Sequence, residues 1–411
     1  MTFTHRIAVF LFLAAALALN ACVPDEGNLV PTLAAPGSAQ GTDSAAPIEP
    51  TPTMLSQERY YVPAYYSQFY DQIIESSKTE TGLRIYSSLS AENWEPVLRA
   101  FLEHYPWVEV NIVTIQEEDI FERYSQEAAN KTTTADIIIS PNIAAWQALI
   151  AQGEVLTYRS AENSYFPTWA RENAGIYALS SDPLLIIYDK SQVQNPPDSM
   201  LAIDTLAKVF AGDYQGTIIT YPGDSSVLGL NANWFWINAK GEAGWQTLSA
   251  IGSLSPTLET SDAAIVQSVG TGSSKVGYFV PATAVLPRLG EYPNLGWSYI
   301  KDGQPILLYN AAITQSNANP NTAKLMLDFL LSQEGQLTLA MGGLTPFRSD
   351  IARISALHLE TVAEEVGQEN LIFVSFDPGL SNSQRYTAFI ERWAQTFKKN
   401  LAVEEEISTE P

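Results

Sequence analysis

Two adjacent serines stand at a position where a protein can bind an anion. Ser225 and Ser226 follow Gly223 and Asp224, between a predicted strand at 217–220 and a predicted helix. Backbone N–H groups at the start of a helix are free to donate, and together with hydroxyl groups they form an anion site. Capping of the helix by a serine or aspartate side chain explains the same residues. Position alone leaves ligand contact and capping open.

Other polar side chains stand where predicted strands end. Ser87 and Ser88 follow one apolar run, and Ser140 and Asn142 follow another. Ligands of parallel sheets bind beyond the carboxyl ends of the strands, so these four side chains are candidate ligand contacts. Tyr278 lies in a short apolar strand and is either a phenol that faces a ligand or a buried strand tyrosine.

The chain lacks the residues of common hydrolytic and metal-dependent enzymes. One cysteine and three widely spaced histidines (His5, His104 and His358) leave little for a zinc site or a catalytic triad. The Gly-x-Ser-x-Gly elbow of serine hydrolases is absent, and the glycine-rich segment 270–274 lacks the ending of a phosphate-binding loop. The sequence therefore predicts no catalytic residue, no metal and no cofactor.

The composition is acidic and favours a folded protein. The 411 residues include 45 Asp and Glu against 22 Lys and Arg, which gives a formal net charge of -23. Phosphate backbones repel such a chain, so nucleic-acid binding is excluded. Because 46% of the residues are hydrophobic, the chain can bury the cores of two domains or of one large two-lobed domain.

Strand and helix patterns alternate from residue 83 onward, which predicts an α/β fold. Two extended stretches, 176–179 and 184–188, are separated by Asp182 and Pro183 and join two α/β sets, so we expect two lobes with a cleft between them. The C-terminal segment is expected to pack on one lobe. The predicted ranges are a signal segment (1–22), a tether rich in Pro, Ser and Ala (23–55), an N-terminal helix (56–80), a first lobe (81–182), a second lobe (183–305), a return crossing with helices (306–350), a C-terminal helical extension (351–400) and an acidic tail (401–411).

The single cysteine, Cys22, has an explanation in the N-terminal segment. The apolar run 7–19 is too short to span a bilayer comfortably and leads directly to Asn20, Ala21 and Cys22. This looks like a bacterial lipoprotein signal, cleaved before a cysteine that becomes lipid-modified; a signal-anchor helix with an incidental cysteine is the alternative. The sequence thus predicts an extracytoplasmic domain held at the membrane by a lipid.

Aromatic residues at helical spacing follow the tether, at Tyr66, Phe69 and Tyr70. Packing of this stripe onto the domain is one interpretation, and a surface that binds sugar or a partner is the other. The second interpretation would make the protein a surface sensor or adhesion module.

A series of motifs, taken in their order, resembles the solute-binding proteins of ABC importers. These motifs are Arg84–Ser88, Ala135–Ser140, Leu185–Lys190, Gly223–Ser226, Gly277–Tyr278, Asn321–Gln336 and Pro346–Asp350. Together they are similar to the ferric-ion-binding branch of the type 2 periplasmic binding proteins. The resemblance implies a two-lobed α/β fold with a cleft, and a monomer that binds a small-molecule solute and partners a transporter permease.

The same resemblance assigns the candidate residues to the cleft and bears on the solute. The implied ligand contacts are Ser87, Ser88, Ser140 and Asn142 in the first lobe, with Ser225, Ser226 and Tyr278 in the second. Hydroxyl groups and backbone donors, without lysine or arginine, suit an oxyanion or a hydroxylated organic solute. A hydroxylated solute that carries a phosphate group would also suit them.

Iron is the alternative solute. Iron-binding members coordinate the metal with a histidine, an acidic residue and two adjacent tyrosines. Here those positions hold Ser87–Ser90, Ser140–Asn142 and the pair Tyr278-Phe279. Because Fe(III) needs several anionic oxygens, the resemblance implies transport but argues against iron capture by the usual ligands.

The lipid anchor can be tested directly. We expect Cys22→Ser to move the protein from the membrane fraction to the soluble fraction, because the thiol that would carry the lipid is lost. Fractionation of cells expressing each form measures this, and membrane retention of the serine variant would contradict the lipoprotein assignment.

Overall fold

The computed structural model describes residues 62–397. The predicted signal segment, the tether, Cys22 and the acidic tail lie outside the described residues. The strands, in chain order, are β1 (Leu83–Ser87), β2 (Val110–Thr114), β3 (Ile137–Ser140), β4 (Ile176–Asp189), β5 (Ile218–Thr220), β6 (Thr257–Leu258), β7 (Val276–Pro281), β8 (Leu295–Ser298), β9 (Gln304–Ile313) and β10 (Leu371–Val374).

The α-helices of the described chain separate these strands. They are α1 (Tyr70–Ser77), α2 (Ala91–His104), α3 (Ile120–Ala129), α4 (Ile143–Ala151), α5 (Met200–Val209), α6 (Ala211–Tyr214), α7 (Val227–Lys240), α8 (Glu242–Gly252), α9 (Asp262–Gly270), α10 (Ala282–Val285), α11 (Pro320–Leu331), α12 (Gln333–Met341), α13 (Leu359–Val366) and α14 (Ser383–Phe397).

The first lobe is built on parallel strands whose polar ends meet. β2, β1 and β3 run parallel in that order, and β9 joins β3 antiparallel. The apolar residues of β1 and β3 are buried, and α2 covers the sheet with Trp94, Val97 and Phe101. Because the three strands are parallel, their last residues, Ser87, Thr114 and Ser140, end at one edge of the sheet.

The second lobe repeats this arrangement with different strands. β5 runs parallel to both β7 and β6, while β4 pairs antiparallel with β7 and β8. Helices α7, α9 and α10 follow β5, β6 and β7 along the chain. Their N-termini therefore gather at the carboxyl edge of this second sheet.

Strands β4 and β9 connect the two lobes. β4 pairs with β9 over 176–183 and with β7 over 184–188, so one strand belongs to both sheets. The sequence pattern predicts two separate extended stretches, 176–179 and 184–188, whereas the structure has one continuous strand of 14 residues. Pro183 does not break it, because the missing N–H falls where the pairing changes from β9 to β7.

The N-terminal aromatic residues pack on the first lobe. α1 contacts α11 and buries Tyr70 and Ile74, whereas Phe69 remains exposed. Before the helix, the Tyr65 and Tyr66 hydroxyls both donate to Glu162 Oε1, at 2.7 and 2.6 Å. These contacts support the packing interpretation of the aromatic stripe.

The C-terminal segment contacts both lobes, whereas the sequence analysis expected it to pack on one. It contains a strand, β10, that pairs parallel with β9. After β10, the Asp377 carbonyl accepts from Gln147 Nε2 on α4 (3.2 Å), and its Oδ2 accepts from Trp234 Nε1 on α7 (2.8 Å). Farther along, Trp393 on α14 packs so closely on Gly223 that a Cβ there would lie 2.5 Å from its Nε1. The expectation was wrong because β9, which β10 extends, runs between the lobes.

A buried ion-pair network holds the return segment to the first lobe. Arg348 Nη1 lies 2.7 Å from Glu162 Oε2, and Arg348 Nη2 lies 2.6 Å from Asp350 Oδ2. The same Nη1 donates to the Leu331 carbonyl at 2.7 Å. Arg348 and Glu162 are 1% and 0% exposed, so each charge depends on its partners for stabilisation.

Removing this arginine should destabilise the protein strongly. We expect Arg348→Ala to lower the free energy of unfolding by about 3–5 kcal/mol, because Glu162 becomes a buried, unpaired carboxylate. Arg99→Ala is the matched control, since its pair with Glu95 is exposed and should contribute less than about 1 kcal/mol. Urea unfolding of both variants measures the difference, and equal losses would contradict the assignment.

Candidate functional site

A cavity of about 160 Å³ lies between the two carboxyl edges. Its walls come from both lobes and from the crossing strand β9, which contributes Tyr309. The polar and charged residues that line it are Ser88, Ser90, Asn93, Thr114, Gln116, Glu117 and Glu118 from the first lobe, and Ser226, Thr260, Ser261, Asp262, Thr283 and Arg288 from the second.

Glu117 is the most constrained acidic side chain of the cavity. It lies between β2 and α3 and is buried. The Ser140 hydroxyl donates to Glu117 Oε2 at 2.6 Å, and the Ser88 hydroxyl donates to Oε1. Two strand ends thus fix this carboxyl group in place. Burial raises the pKa of Glu117 to about 8, although the two serine hydroxyls act in the opposite direction.

Glu118 joins the first lobe to the start of α7 in the second lobe. Its Oε1 accepts a hydrogen bond from the Val227 backbone N–H at 3.1 Å. The third N–H of that helix, which belongs to Gly229, donates to the Ser226 hydroxyl at 3.3 Å. Both groups satisfy donors that a helix N-terminus otherwise leaves unpaired.

Buried hydrogen bonds also cross between the lobes. Asn231 Nδ2 on α7 donates to the Pro141 carbonyl after β3 at 3.0 Å. Asn93 Nδ2 on α2 donates to the Thr283 carbonyl on α10 at 3.3 Å. Contacts of this kind require the two lobes to be closed on each other, so the structure represents a closed arrangement.

The second lobe adds Asp262 and Arg288 to the cavity. Burial raises the pKa of Asp262, while a hydrogen bond from the Tyr221 hydroxyl (2.6 Å) and the positive charge of Arg288 favour its charged form. The Arg288 guanidinium also donates to the Ala284 carbonyl at 2.8 Å. The positive charge of Arg288 and the negative charge of ionised Asp262 therefore stabilise each other on the same wall of the cavity.

Asp182 couples the cavity wall to the crossing strand. It lies on β4, is fully buried, and its Oδ2 accepts from the Thr283 hydroxyl at 2.8 Å. Burial raises the pKa of Asp182 to about 8. Since Thr283 lines the cavity, this hydrogen bond links the cavity wall to the strand that joins the lobes.

The structure brings some of the predicted site residues to the cavity. Ser88 and Ser226 line it, and Ser140 reaches it through Glu117. Ser226 also caps α7, so the capping explanation holds for it as well. Ser87 lies beneath the surface, where its hydroxyl accepts from the Leu89 N–H at 3.1 Å.

Three predicted residues lie away from the cavity. Asn142 caps α4 by accepting from the Ala145 N–H at 3.1 Å, and with Ser225 it lines a separate groove beside the C-terminal segment. Tyr278 is fully buried in β7 and does not line the cavity. Its neighbour Phe279 has a φ of 59°, in the left-handed region, at a bulge opposite β4. The resemblance implied a ligand contact for Tyr278, but at this bulge its side chain is buried in the strand.

Sequence reasoning missed the acidic residues, Glu117 and Glu118, and the base Arg288. A signal for Glu117 was present, because it follows the end of β2 just as Ser88 follows β1. Arg288 lies in a short turn after α10 and carries no comparable signal.

Within residues 62–397, no three His, Cys, Asp or Glu side chains are grouped so that they could hold a metal ion. Nor does that part of the chain contain a helix long and apolar enough to cross a membrane.

Comparisons with known proteins agree with this architecture. A sequence model described as bacterial extracellular solute-binding protein matches residues 97–364, more than half of the chain. No curated protein sequence matches significantly.

Solved structures share the fold at low sequence identity. The substrate-binding protein of an ABC transporter from Agrobacterium tumefaciens is 22% identical with a TM-score of 0.70, over 79% of this chain and 96% of that one. AfuA from Actinobacillus pleuropneumoniae, with fructose-6-phosphate bound, is 18% identical with a TM-score of 0.63, over 77% and 98%. Apo ferric ion-binding protein A from Pasteurella haemolytica is 15% identical with a TM-score of 0.59, over 77% and 97%. The predicted two-lobed type 2 periplasmic binding fold is thereby confirmed.

The raised pKa of Glu117 should make stability depend on pH. The folded protein holds a proton that the unfolded chain loses near its ordinary pKa of 4.5, so the free energy of unfolding falls as pH rises from there to about 8. Glu117→Gln resembles the protonated form and does not titrate. We expect its stability relative to the unsubstituted protein to grow by about 1 kcal/mol per pH unit in that window and then level off.

Urea unfolding at intervals from pH 5 to pH 9 measures this difference. Glu122→Gln on α3 is the control, because it makes the same substitution at an exposed glutamate outside the cavity. A constant difference for Glu117→Gln would show that this carboxyl keeps its ordinary pKa.

Proposed function

Because this chain belongs to the family of bacterial extracellular solute-binding proteins, we propose that it captures a small solute in the cavity between its lobes for an ABC importer. The observation that carries the proposal is the origin of the cavity wall, which comes from the carboxyl edges of two sheets and from the strand that joins them. A solute held there contacts both lobes at once.

Capture is a change of conformation and not a reaction. The lobes move about β4 and β9, and a solute that contacts both of them favours the closed state. Asn231 and Glu118 supply protein contacts that form on closure, since each bonds to the opposite lobe. The closed surface is what a transporter permease would recognise.

The two alternatives have less support. Iron capture would need a set of anionic ligands, and the described residues offer no such grouping. A sensor or adhesion function for the aromatic N-terminal stripe competes with its packing, because Tyr65 and Tyr66 bond to Glu162 and Tyr70 is buried.

The location of the protein follows from the family and from the N-terminal segment. The family is extracellular, and we propose that lipidation of Cys22 keeps this member at the outer face of the cell membrane as a monomer. The tether between Cys22 and the first described residue spans about 40 positions. A chain of that length would let the domain reach a permease in the same membrane.

The role of lobe closure is testable with two matched asparagines of α7. Asn231→Ala removes the hydrogen bond to Pro141 in the other lobe, whereas Asn233→Ala removes a bond to Gly229 within the same helix, at 3.0 and 2.8 Å. Each loses one buried hydrogen bond of about 1 kcal/mol. We expect only Asn231→Ala to lower the ratio of closed to open protein, by about fivefold.

Small-angle X-ray scattering of the purified proteins measures the closed fraction through the radius of gyration. A larger radius for Asn231→Ala than for Asn233→Ala supports closure about the crossing strands. If the two variants scatter identically, the contact with Pro141 does not hold the lobes together.

A further inference from the structure

The cavity between the lobes carries more acidic than basic groups. Of the described residues that line it, Glu117, Glu118 and Asp262 are acidic and Arg288 alone is cationic. In residues 62–397, no ion pair links any of these three carboxyl groups to a lysine, arginine or histidine. The cavity wall thus carries three acidic groups and one basic group, and a bound cation would favour the charged form of the acids.

Arg288 does not neutralise this wall as a whole. Its positive charge acts on Asp262, whose charged form it favours, and its guanidinium is held by the Ala284 carbonyl at 2.8 Å. Among the largest influences on the pKa of Glu117, the charges of Asp262 and Glu118 both raise it, and none of these influences is a cation. Glu117 and Glu118 therefore face the cavity without a positive partner.

Glu117 is held in a way that suits a recognition group. Ser88 and Ser140, from the ends of two different strands, donate to its two oxygens and so fix the orientation of the carboxyl group. A buried carboxylate without a cation is costly, even when hydroxyl groups bond to it. A bound cation would remove that cost, because it supplies the missing opposite charge.

Several helix N–H groups that could bind an oxyanion are already occupied. At the start of α7, Val227 N–H bonds to Glu118 and Gly229 N–H bonds to Ser226. At the start of α9, Ala264 N–H bonds to the Ser261 hydroxyl at 3.3 Å. A phosphate or carboxylate bound at these three donors would have to displace Glu118 or a serine hydroxyl and then lie near Glu117. This observation is independent of the charge count, and it points away from an anionic solute.

We infer that the solute carries a protonated amine, which Glu117 binds while the hydroxyl groups of the cavity hold its remaining polar atoms. The inference rests on the proposed function and names the class of its solute. It replaces the oxyanion that the sequence suggested, because the sequence analysis did not place the carboxyl groups in the cavity. The formal net charge of -23 adds a long-range attraction for cations.

Isothermal titration calorimetry with defined probes tests the inference. The cationic probes are putrescine, spermidine and thiamin; the others are fructose 6-phosphate, citrate and neutral fructose. We expect at least one cationic probe to bind with a Kd below about 1 mM, more weakly at high salt, and the anionic probes not to bind. Glu117→Gln should weaken the binding of that cation by about 10- to 100-fold.

Glu122→Gln is the matched control, since this exposed glutamate lies on α3 and bonds only to Gln126 among the described residues. It should bind the cation as the unsubstituted protein does. Glu118→Gln is the second test variant, used if Glu117→Gln folds poorly, and it should also weaken binding. Binding of a cation that neither variant weakens would overturn the inference.

The other outcomes separate this inference from the proposed function. Binding of an anion, or a co-purified neutral or anionic solute in native mass spectrometry, overturns the amine assignment and leaves solute capture standing. If no probe binds, no solute co-purifies and scattering shows no closed population, both the inference and the proposed function fail.

Discussion

Each lobe depends on strands that it shares with the other. β4 leaves the sheet of the first lobe and enters that of the second without interruption, and β9 runs antiparallel beside it. Nearly every residue of the two strands is buried. Because the crossing strands are packed on all sides, the lobes can rotate about them but cannot separate. Because β4 and β9 fix how the lobes meet, they also determine where the cavity, the contacts across it and the Asp182–Thr283 hydrogen bond lie.

Buried acidic groups surround the cleft, and they have a common physical character. Burial raises the pKa of Glu117, Asp182 and Asp262, and hydroxyl groups of serine, threonine or tyrosine donate to each of them. A core built only for stability would favour apolar residues here, since each acid costs free energy on burial. The first lobe shows the contrasting solution, in which the buried Glu162 is paired with Arg348. The cleft thus retains acids that have no ion-pair partner, unlike Glu162.

The sequence was sufficient for the architecture and for part of the cavity. Alternation of apolar runs and helical faces identified the two α/β sets, and strand ends identified Ser88 and Ser140 correctly as polar groups at one sheet edge. The orientation of Tyr278 could not be predicted, because a bulge in β7 changes which side chains face inward. No residue type in this segment predicts the bulge. Arg288 and the contacts of the C-terminal segment depend on pairings between residues far apart in the chain. Such pairings follow from packing and leave no periodic pattern to find.

The pairing of β3 with β9 has a consequence for how the protein is made. Ile137 is opposite Ile313, so the first lobe's sheet contains strands separated by most of the second lobe's sequence. β10, which lies later still, pairs with β9 as well. Sheets that join such distant segments form slowly, because a long loop must close, at a cost in conformational entropy, before the contacts between the strands stabilise the structure. A chain emerging from the ribosome therefore cannot complete its first lobe until the second has been synthesised.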